Sequence, residues 1–448
     1  MALSGLQIFK LLPKTNCKDC GYPTCMAFAL QLAAAKTQPD ACPHLSPSVL
    51  ATLADAAMPA VRRVEIGPAD DPTVLGEETV LYRHERRFVH PTALAFMIDD
   101  SVSEERFEGL LEAFANQRFE RVGQTLRPRL VAIGSSDVGR LTSRVKTATE
   151  RTGAGVVIVS DDPHALLKAG EVIPGCRPLL CGANPTTFAR VAEIAEYLKA
   201  PFVLRGRDLQ ELWELGQRAV DAGSQNVMLE PVVATAGDAL AAHVFARRAA
   251  VRDKVKALGF PTIAYACRLT DDPLLQTVLA SALIAKYAAI VVIDTVDPAH
   301  TLPLLALTQG LYTDPQKPMM VDAGVYALGE PGPSSPVLIT TNFSLTYYTV
   351  LGEVENSKVP AWLLVMDVEG QSVLTAWAAG KFVADAIALF VKKSGIEEKV
   401  AHRRLVIPGY VAGIQSELET ELVDWEVVVG VREASDIPRY LRALTAGQ

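Results

Sequence analysis

Between residues 92 and 293, short apolar runs rich in β-branched residues alternate with longer segments of helical composition. The segments between the runs, such as 103–118, 186–198, 209–222 and 238–257, predict helices. Repeated strand–helix units of this length predict a (β/α)8 barrel, the TIM barrel, for which about 250 residues are typical. The predicted strands are Leu94–Ile98, Leu130–Ile133, Val156–Val159, Pro178–Cys181, Phe202–Leu204, Val227–Leu229, Thr262–Ala266 and Ile290–Ile293.

Several predicted strands are followed by an Asp or Asn and then a Pro. An Asp or Asn side chain accepts hydrogen bonds from the free N–H groups of a helix start, and Pro fits the first helical position. We therefore expect helices to begin at Asp162-Pro163, Asn184-Pro185, Asp272-Pro273 and Asp297-Pro298.

Polar residues that directly follow the strands should ring the carboxyl-terminal face of this barrel, where the active sites of such barrels lie. No metal-ligand or phosphate-loop pattern distinguishes any of them, so we expect most to cap helices or form ion pairs. They are Asp99, Asp100, Ser135, Asp161, Asn184, Arg205, Glu230, Arg268 and Asp294.

After the prolines at 315 and 318 and a Gly/Pro/Ser-rich bend at 329–336, a second β/α series begins. Helices are predicted near 343–355, 373–393, 411–421 and 435–444. Short parallel strands with helices between them form an open, doubly wound, Rossmann-like α/β sheet, which binds ligands beyond the carboxyl ends of its strands. The predicted strands are Val337–Thr340, Trp362–Met366, Arg404–Ile407 and Glu426–Val429.

The loops after these four strands, at 340–344, 367–373, 408–413 and 430–434, consist mostly of small or hydroxylic residues, and two are rich in glycine. They offer backbone N–H groups, hydroxyls and close backbone approach, but almost no acid/base groups. Such loops suit the binding of a large, amide-fringed cofactor better than catalysis. The alternative is that they are ordinary glycine turns and helix caps.

Four of the seven cysteines, Cys17, Cys20, Cys25 and Cys42, fall in the first tenth of the chain with the spacing C-x2-C-x4-C-x16-C. Three close thiolates and a fourth before a proline favour a [4Fe-4S] cluster, whose sulfurs accept hydrogen bonds from nearby backbone N–H groups. Zinc and disulfides remain alternatives, because zinc usually takes two separated C-x2-C pairs. A helix is expected to begin at Cys25.

Three domains are predicted: a cluster domain at 1–58, a barrel at 59–318 preceded by a connector to about residue 90, and a cofactor-binding α/β domain at 319–448. The connector is rich in Gly, Pro and charged residues. We expect Val61–Ile66 and Thr79–Tyr82 to form a hairpin in it.

The composition, with 49% hydrophobic, 21% charged and 6% aromatic residues, is typical of an α/β enzyme. A net charge of -8 and the lack of a basic cluster argue against nucleic-acid binding. No apolar run reaches the ~18 residues of a membrane span, and Met1–Leu12 does not resemble a signal peptide. We therefore expect a cytoplasmic protein, in which clustered cysteines favour a metal site.

The motifs at 16–25, 340–346, 370–376 and 407–410 resemble those of one family along the whole chain. It is the family of the corrinoid iron-sulfur protein large subunit and the gamma subunit of acetyl-CoA decarbonylase/synthase. The resemblance implies the fold predicted above, with a cobamide (a vitamin B12-type corrinoid) in the C-terminal domain. The cofactor contacts implied are Thr340, Thr341, Asn342, Thr346, Gly370, Gln371, Ser372, Val373, Thr375 near the lower cobalt face, Gly409, Tyr410 and Ala434.

The resemblance also implies a methyl carrier of the reductive acetyl-CoA (Wood-Ljungdahl) pathway. Base-off Co(I) would accept a methyl group from methyltetrahydrofolate through a methyltransferase and pass it to the nickel cluster of acetyl-CoA synthase. The [4Fe-4S] cluster would reactivate Co(II). The implied partners are a small barrel subunit in a heterodimer, that methyltransferase, acetyl-CoA synthase, and a reductive activator or ferredoxin.

The base-off state is expected because the cobalamin motif D-x-H-x-x-G is absent. Asp162-Pro163-His164 comes close, but Leu167 stands where the motif has glycine. His402 is the only histidine after residue 300, and it should lie at the opposite end of the sheet from the ligand crevice.

Two other functions remain open. One is a barrel methyltransferase that acts directly on a methylated pterin. The other is an electron-transferring subunit that carries a cluster and no corrinoid.

Overall fold

The computed structural model of the chain describes residues 5–33, 36–57 and 59–446. It contains two structural units, one formed by residues up to 119 with 126–312 and the other by 120–125 with 313 onwards. The predicted boundary at residue 58 lies outside the described residues. The domain boundaries at 58 and 318 therefore stay predictions.

The elements run in the following order. The helices are α1 (Gly5–Leu11), α2 (Cys25–Ala33), α3 (Pro47–Ala57), α4 (Glu104–Ala115), α5 (Val138–Thr152), α6 (Pro163–Glu171), α7 (Phe188–Leu198), α8 (Leu209–Asp221), α9 (Ala236–Val251), α10 (Pro273–Ala285), α11 (Pro298–Leu311), α12 (Ser344–Ser357), α13 (Val373–Ala378), α14 (Ala384–Lys393), α15 (Gln415–Glu421) and α16 (Ile437–Ala446). The strands are β1 (Val64–Pro68), β2 (Thr73–Leu75), β3 (Ala93–Ile98), β4 (Phe119–Arg121), β5 (Gln124–Leu126), β6 (Leu130–Gly134), β7 (Gly155–Val159), β8 (Cys176–Arg177), β9 (Leu179–Ala183), β10 (Phe202–Gly206), β11 (Val227–Pro231), β12 (Ile263–Tyr265), β13 (Ile290–Ile293), β14 (Gly324–Leu328), β15 (Val337–Thr341), β16 (Ala361–Met366), β17 (Arg404–Ile407) and β18 (Glu426–Val429).

The eight predicted barrel strands are confirmed as one parallel sheet in the order β11-β10-β9-β7-β6-β3-β13-β12. A parallel bridge between Leu229 and Thr262 joins β11 to the residue before β12 and nearly closes the barrel. Small and branched side chains from alternate strand positions fill the interior. Val64, Ile66 and Leu75 from β1 and β2 belong to the same core.

Three of the four predicted helix starts are confirmed. Asp162, Asp272 and Asp297 each accept a hydrogen bond from a backbone N–H of the following helix, with Pro at its first turn. The prediction at Asn184 is wrong, because α7 begins at Phe188. The Asn184 side chain accepts instead from the N–H groups of Thr186 and Thr187 and so closes a turn.

The predicted connector hairpin is only half right. β1 forms antiparallel pairs with β2 and β8, whereas Thr79–Tyr82 is not a strand. The reason is the neighbouring Glu78, which is 4% exposed and accepts a hydrogen bond from the N–H of Val89 at 2.9 Å. Turning this carboxylate inward holds the segment as an irregular loop.

Polar residues at the carboxyl-terminal face of the barrel mostly bind one another. The Glu230 carboxylate, only 3% exposed, lies 2.6 Å from Arg268 and 3.1 Å from Arg205, which also pairs with Asp161. The pKa of Asp100 is lowered to about 2 by hydrogen bonds from Ser135 and then Ser136. This pattern matches the expected ion pairs.

The C-terminal sheet has the order β14-β16-β15-β17-β18, and its four predicted strands are parallel and confirmed. The sequence analysis missed the antiparallel edge strand β14. The predicted helix 373–393 is two helices, α13 and α14, because Gly380 adopts a φ of +70° between them. No helix in the described ranges is long and apolar enough to cross a membrane.

His243, on α9, should make the barrel sensitive to acid. Burial lowers its pKa from 6.5 to about 4, so the folded protein holds it neutral while the unfolded chain protonates it as the pH falls below 6.5. We expect protonation of His243 in the unfolded chain to lower the free energy of unfolding by about 2 kcal/mol when the pH falls from 7 to 5. His243→Asn, which keeps a polar group near Thr262 Oγ1, should flatten that dependence in urea unfolding. Equal pH slopes for the two proteins would contradict this.

Candidate functional site

Three of the four clustered cysteines contribute to one small core in the N-terminal segment, and Cys17 lies outside it. Cys25 and Cys42 are buried beside Phe28 and Leu32, Cys20 is half-buried, and Cys17 is exposed. The helix α2 begins at Cys25 as predicted. Thr24 caps it, since its Oγ1 accepts a hydrogen bond from the N–H of Ala27 at 3.1 Å.

The loop before α2 is held in an uncommon conformation. Lys14, Asn16, Lys18 and Gly21 all have φ between +52° and +83°, a region that costs a non-glycine residue about 1–2 kcal/mol. Two hydrogen bonds fix it: the N–H of Cys25 donates to Asn16 Oδ1 at 2.8 Å, and the N–H of Asn16 donates to Cys25 Sγ at 3.4 Å. The second is the backbone N–H to sulfur contact expected around a cluster.

Cys42 completes the set from the other side. Burial raises the pKa of its thiol, and the nearby Cys20, Cys17 and Cys25 raise it further, whereas a hydrogen bond from the backbone of His44 lowers it. A positive metal centre would remove this mutual repulsion, because it stabilises thiolates.

The described cysteine sulfurs are not gathered as the four ligands of one zinc ion would be. Four thiolates about 2.3 Å from one zinc ion would lie roughly 3.8 Å apart. In the described part of the chain, no three cysteines have their sulfurs within 4.8 Å of one another; the one such group joins Cys17 to Asp19 and His44. A cube-shaped cluster spaces its ligands more widely, since each cysteine binds a different iron.

In the C-terminal domain, an apolar cavity of about 330 Å³ opens at the carboxyl ends of the parallel strands. It lies at β15, where the strand order reverses, with β16 on one side and β17 and β18 on the other. This is the position at which doubly wound sheets bind ligands. The ends of β15, β17 and β18 and the starts of α12, α13 and α16 contribute its walls.

Six of the predicted contact residues line this cavity: Thr340, Thr346, Ser372, Val373, Tyr410 and Ala434. Six others do not, namely Thr341, Asn342, Gly370, Gln371, Thr375 and Gly409. Thr375 is next to the wall, with Oγ1 2.9 Å from Ser372 Oγ.

Several buried polar atoms at this edge have no hydrogen-bond partner among the described residues. They include Thr340 Oγ1, Thr341 Oγ1, Gln371 Oε1 and the hydroxyl of Tyr440. Burial raises the pKa of Tyr440, so its hydroxyl stays protonated and able to donate. Buried polar groups are nearly always satisfied, and a bound ligand with polar groups would satisfy these four atoms; other such atoms, including Glu78 Oε2 and Gln117 Oε1, lie in the barrel.

The sequence analysis missed three cavity residues with polar side chains: Thr349, Arg432 and Tyr440. Thr349 lies one helical turn beyond Thr346, and Tyr440 lies one turn beyond Ile437, another cavity residue. The 3.6-residue period, applied to the helix after the first predicted loop, would have found Thr349.

Asn342 shapes the site without lining it. Its Oδ1 accepts from the N–H groups of Val368 and Gly370, at 3.1 and 3.0 Å, and its Nδ2 donates to Asp367 Oδ1 at 2.9 Å. The loop after β16 is thereby tied to the end of β15.

Two glycines allow close backbone approach at this edge. Gly370 has a φ of +69°, and a Cβ there would lie 2.5 Å from Met320 Cγ. A Cβ at Gly409 would lie 2.6 Å from the carbonyl oxygen of Gly430. Larger side chains would therefore push the loops after β16 and β17 out of place.

His402 lies at the amino end of β17, away from the cavity at its carboxyl end. Its Nε2 donates to the carbonyl of Ser335 at 2.9 Å, and its Nδ1 accepts from the N–H of Arg404 at 3.2 Å. Both ring nitrogens are therefore occupied.

Residues 63–441 match the family described as CO dehydrogenase/acetyl-CoA synthase delta subunit, and residues 12–44 match one described as putative Fe-S cluster. The chain is 39% identical over 445 residues to the corrinoid/iron-sulfur protein large subunit of Moorella thermoacetica, covering 99% of both chains. It is 35% identical to the acetyl-CoA decarbonylase/synthase complex subunit gamma of Methanothermobacter thermautotrophicus, covering 100% of both. A solved dihydropteroate synthase from Thermus thermophilus aligns with 55% of this chain and 100% of its own, at 17% identity and a TM-score of 0.39, which is too low to support any conclusion.

Asn342→Ala should destabilise the C-terminal domain by about 2–4 kcal/mol, because it leaves two buried N–H groups without acceptors. Thr341→Val is the matched control. It removes a buried hydroxyl that has no partner in the described chain, so we expect no loss of stability.

Urea unfolding followed by tryptophan fluorescence measures both changes. A Trp213→Phe background leaves only Trp362, Trp377 and Trp425, which all lie in this domain. Losses of the same size for Asn342→Ala and Thr341→Val would contradict the role given to Asn342.

Proposed function

Because the chain belongs to the family of corrinoid/iron-sulfur protein large subunits and acetyl-CoA decarbonylase/synthase gamma subunits, we propose that it is the methyl-carrier subunit of a CO dehydrogenase/acetyl-CoA synthase system. The proposal includes a [4Fe-4S] cluster held by Cys17, Cys20, Cys25 and Cys42, and a cobamide held at the carboxyl edge of the C-terminal sheet. The main support for this proposal is the apolar cavity at β15, which occurs in the same chain as the cysteine core.

The chemistry belongs to the bound groups: a cobalt that carries a methyl group from methyltetrahydrofolate to acetyl-CoA synthase, and a cluster that supplies the electron needed for reactivation. The protein's part is to bind and to orient. No acid or base among the described cavity residues is placed for proton transfer, since the lining is mainly aliphatic and hydroxylic. The composition of the lining therefore favours a methyl carrier over a catalyst of proton transfer.

Thr340 and Tyr440 would hold the polar groups of the cobamide's nucleotide tail, and the apolar walls would take its base. Their hydroxyls are buried and without partners in the described chain. A cavity of about 330 Å³ lies at the small end of the ligand-pocket range of roughly 300–1,000 Å³. It therefore suits part of a cobamide, whose corrin ring would cover the opening beside Ser372 and Tyr410.

The barrel mouth argues against a methyltransferase that acts directly on a pterin. Glu230 is paired with both Arg205 and Arg268, and the Arg268 guanidinium lies 3.6 Å from the centroid of the Tyr265 ring. These side chains form ion pairs with one another, although Arg205 Nε and Glu230 Oε2 make no hydrogen bond in the described chain. A barrel that instead acts as a scaffold explains why they are arranged as ion pairs.

An exposed apolar rim beside the cavity supports partner binding. Leu345, Leu374, Trp377 and Tyr410 are 56%, 44%, 43% and 44% exposed. A corrin ring would leave such side chains only partly covered, so we propose that the small barrel subunit covers them. The methyltransferase, acetyl-CoA synthase and a reductive activator or ferredoxin would act on the resulting heterodimer.

Anaerobically purified protein should contain cobalt and iron and absorb as a corrinoid superposed on an iron-sulfur cluster. Cys20→Ala should lose or convert the cluster and keep its cobalt, because the two sites have separate cores. Cys176→Ala, at a half-buried cysteine in β8, is the control and should keep both metals.

Metal analysis and absorption spectra distinguish the outcomes. A wild-type protein with iron but no cobalt would support the electron-transfer alternative. Equal loss of cobalt and iron from Cys20→Ala would contradict the separation of the two sites.

His402→Ala should leave the Co(II) electron paramagnetic resonance spectrum in its base-off form, because both ring nitrogens of His402 are engaged at the other end of the sheet. Nitrogen superhyperfine splitting in the wild-type spectrum that disappears in the variant would refute the base-off assignment.

A further inference from the structure

The four proposed cluster ligands differ in their exposure to solvent. Cys25 and Cys42 are each 7% exposed and Cys20 is half-buried, whereas Cys17 is exposed. Electron transfer between proteins slows steeply with distance, so the exposed ligand marks the edge through which electrons enter. This inference rests on the proposed function, because it presumes a cluster at these cysteines.

The loop that carries Cys17 presents two lysines. Every residue from 13 to 19 is exposed, and both Lys14 and Lys18 have φ values, +60° and +69°, that ordinary side chains rarely adopt. The Asn16–Cys25 hydrogen bonds hold this conformation. Lys14 Nζ also lies 5.6 Å from the centroid of the Phe9 ring, which restrains it beside the loop.

The charge around this edge is opposite in sign to that of the whole chain. Residues 5–57 contain four lysines, three aspartates and no glutamate, while the chain has a net charge of -8. Asp19, the acidic residue nearest Cys17 in sequence, is paired with His44 at 2.6 Å. Asp19 is itself 51% exposed, so the exposed loop at 13–19 carries two lysines against one aspartate and is weakly basic.

We propose that Lys14 and Lys18 beside Cys17, here called the Cys17 edge, form the docking surface for an acidic one-electron donor protein. One electron leaves the reduced centre of the donor and enters the cluster. No bond forms or breaks, and no proton moves. The lysines raise the rate of encounter by electrostatic steering and bring the donor to the exposed ligand.

The test measures electron exchange with an acidic plant-type [2Fe-2S] ferredoxin by anaerobic stopped flow, in whichever direction is favourable. Lys18→Glu should lower the second-order rate constant about fivefold at low ionic strength. The difference should shrink toward zero near 1 M salt, where the screening length is about 3 Å.

Lys36→Glu is the matched control, since it makes the same charge change on the same segment. Lys36 follows the carboxyl end of α2 whereas Cys25 begins that helix, so the helix, about 13 Å long, separates them. Its rate should stay within about twofold of wild type. Equal slowing by Lys18→Glu and Lys36→Glu would refute the Cys17 edge as the docking surface.

A charge beside the cluster also shifts its reduction potential, so a second probe is needed. The methyl viologen couple, whose forms are cationic, should react with Lys18→Glu at least as fast as with wild type once rates are compared at equal driving force. Slowing of the reactions with both probes by the same factor would refute the proposal.

Wild-type protein without iron and sulfide would refute the proposed function itself, whereas rates independent of Lys18 in iron-loaded protein would refute only this inference.

Discussion

The candidate cofactor site depends on the parallel pairing of β15 with β16 and β17. That register places Thr341 opposite Met366 and Leu338 opposite Val406. The carboxyl ends of these strands therefore lie at the same edge of the sheet, and the loops that follow them begin there. Because the chain leaves β15 toward β16 on one side and returns to β17 on the other, the connections diverge and open a crevice. The cavity follows from the strand order, and the side chains at the strand ends decide what it binds.

The crevice leaves buried polar atoms unsatisfied, which destabilises the domain, and hydrogen bonds of a neighbouring residue offset part of this loss. Thr340, Thr341 and Gln371 leave buried polar atoms without partners among the described residues, and each such atom costs about 1–3 kcal/mol. Asn342, their neighbour, makes three hydrogen bonds that fix the loop after β16. Adjacent residues thus differ in role, because Asn342 stabilises the loop whereas Thr340 is proposed to bind the cofactor.

The N-terminal segment relies on different physics. Its core has eight buried hydrophobic side chains among the described residues, and two of them belong to the proposed ligands Cys25 and Cys42. A core this small gains much of its folding energy from metal binding. The unequal burial of its four cysteines, with a basic loop at the exposed Cys17, also gives the proposed cluster one accessible edge.

The sequence by itself determined the features that depend on neighbours along the chain. The barrel strands, the caps at Asp162, Asp272 and Asp297, the helix start at Cys25 and the parallel strands of the C-terminal sheet all follow from local periodicity and composition. Half of the predicted cofactor contacts line the cavity for the same reason, since they directly follow strands or begin helices.

Tertiary structure alone decided the rest. Edge strand β14 exists because β16 offers it a free side, Thr79–Tyr82 is a loop because Glu78 is buried, and Asn342 bonds to residues about 26 positions away. Tyr440 reaches the cavity only once α16 packs beside α12. These contacts join residues far apart in sequence, and no local pattern encodes their partners.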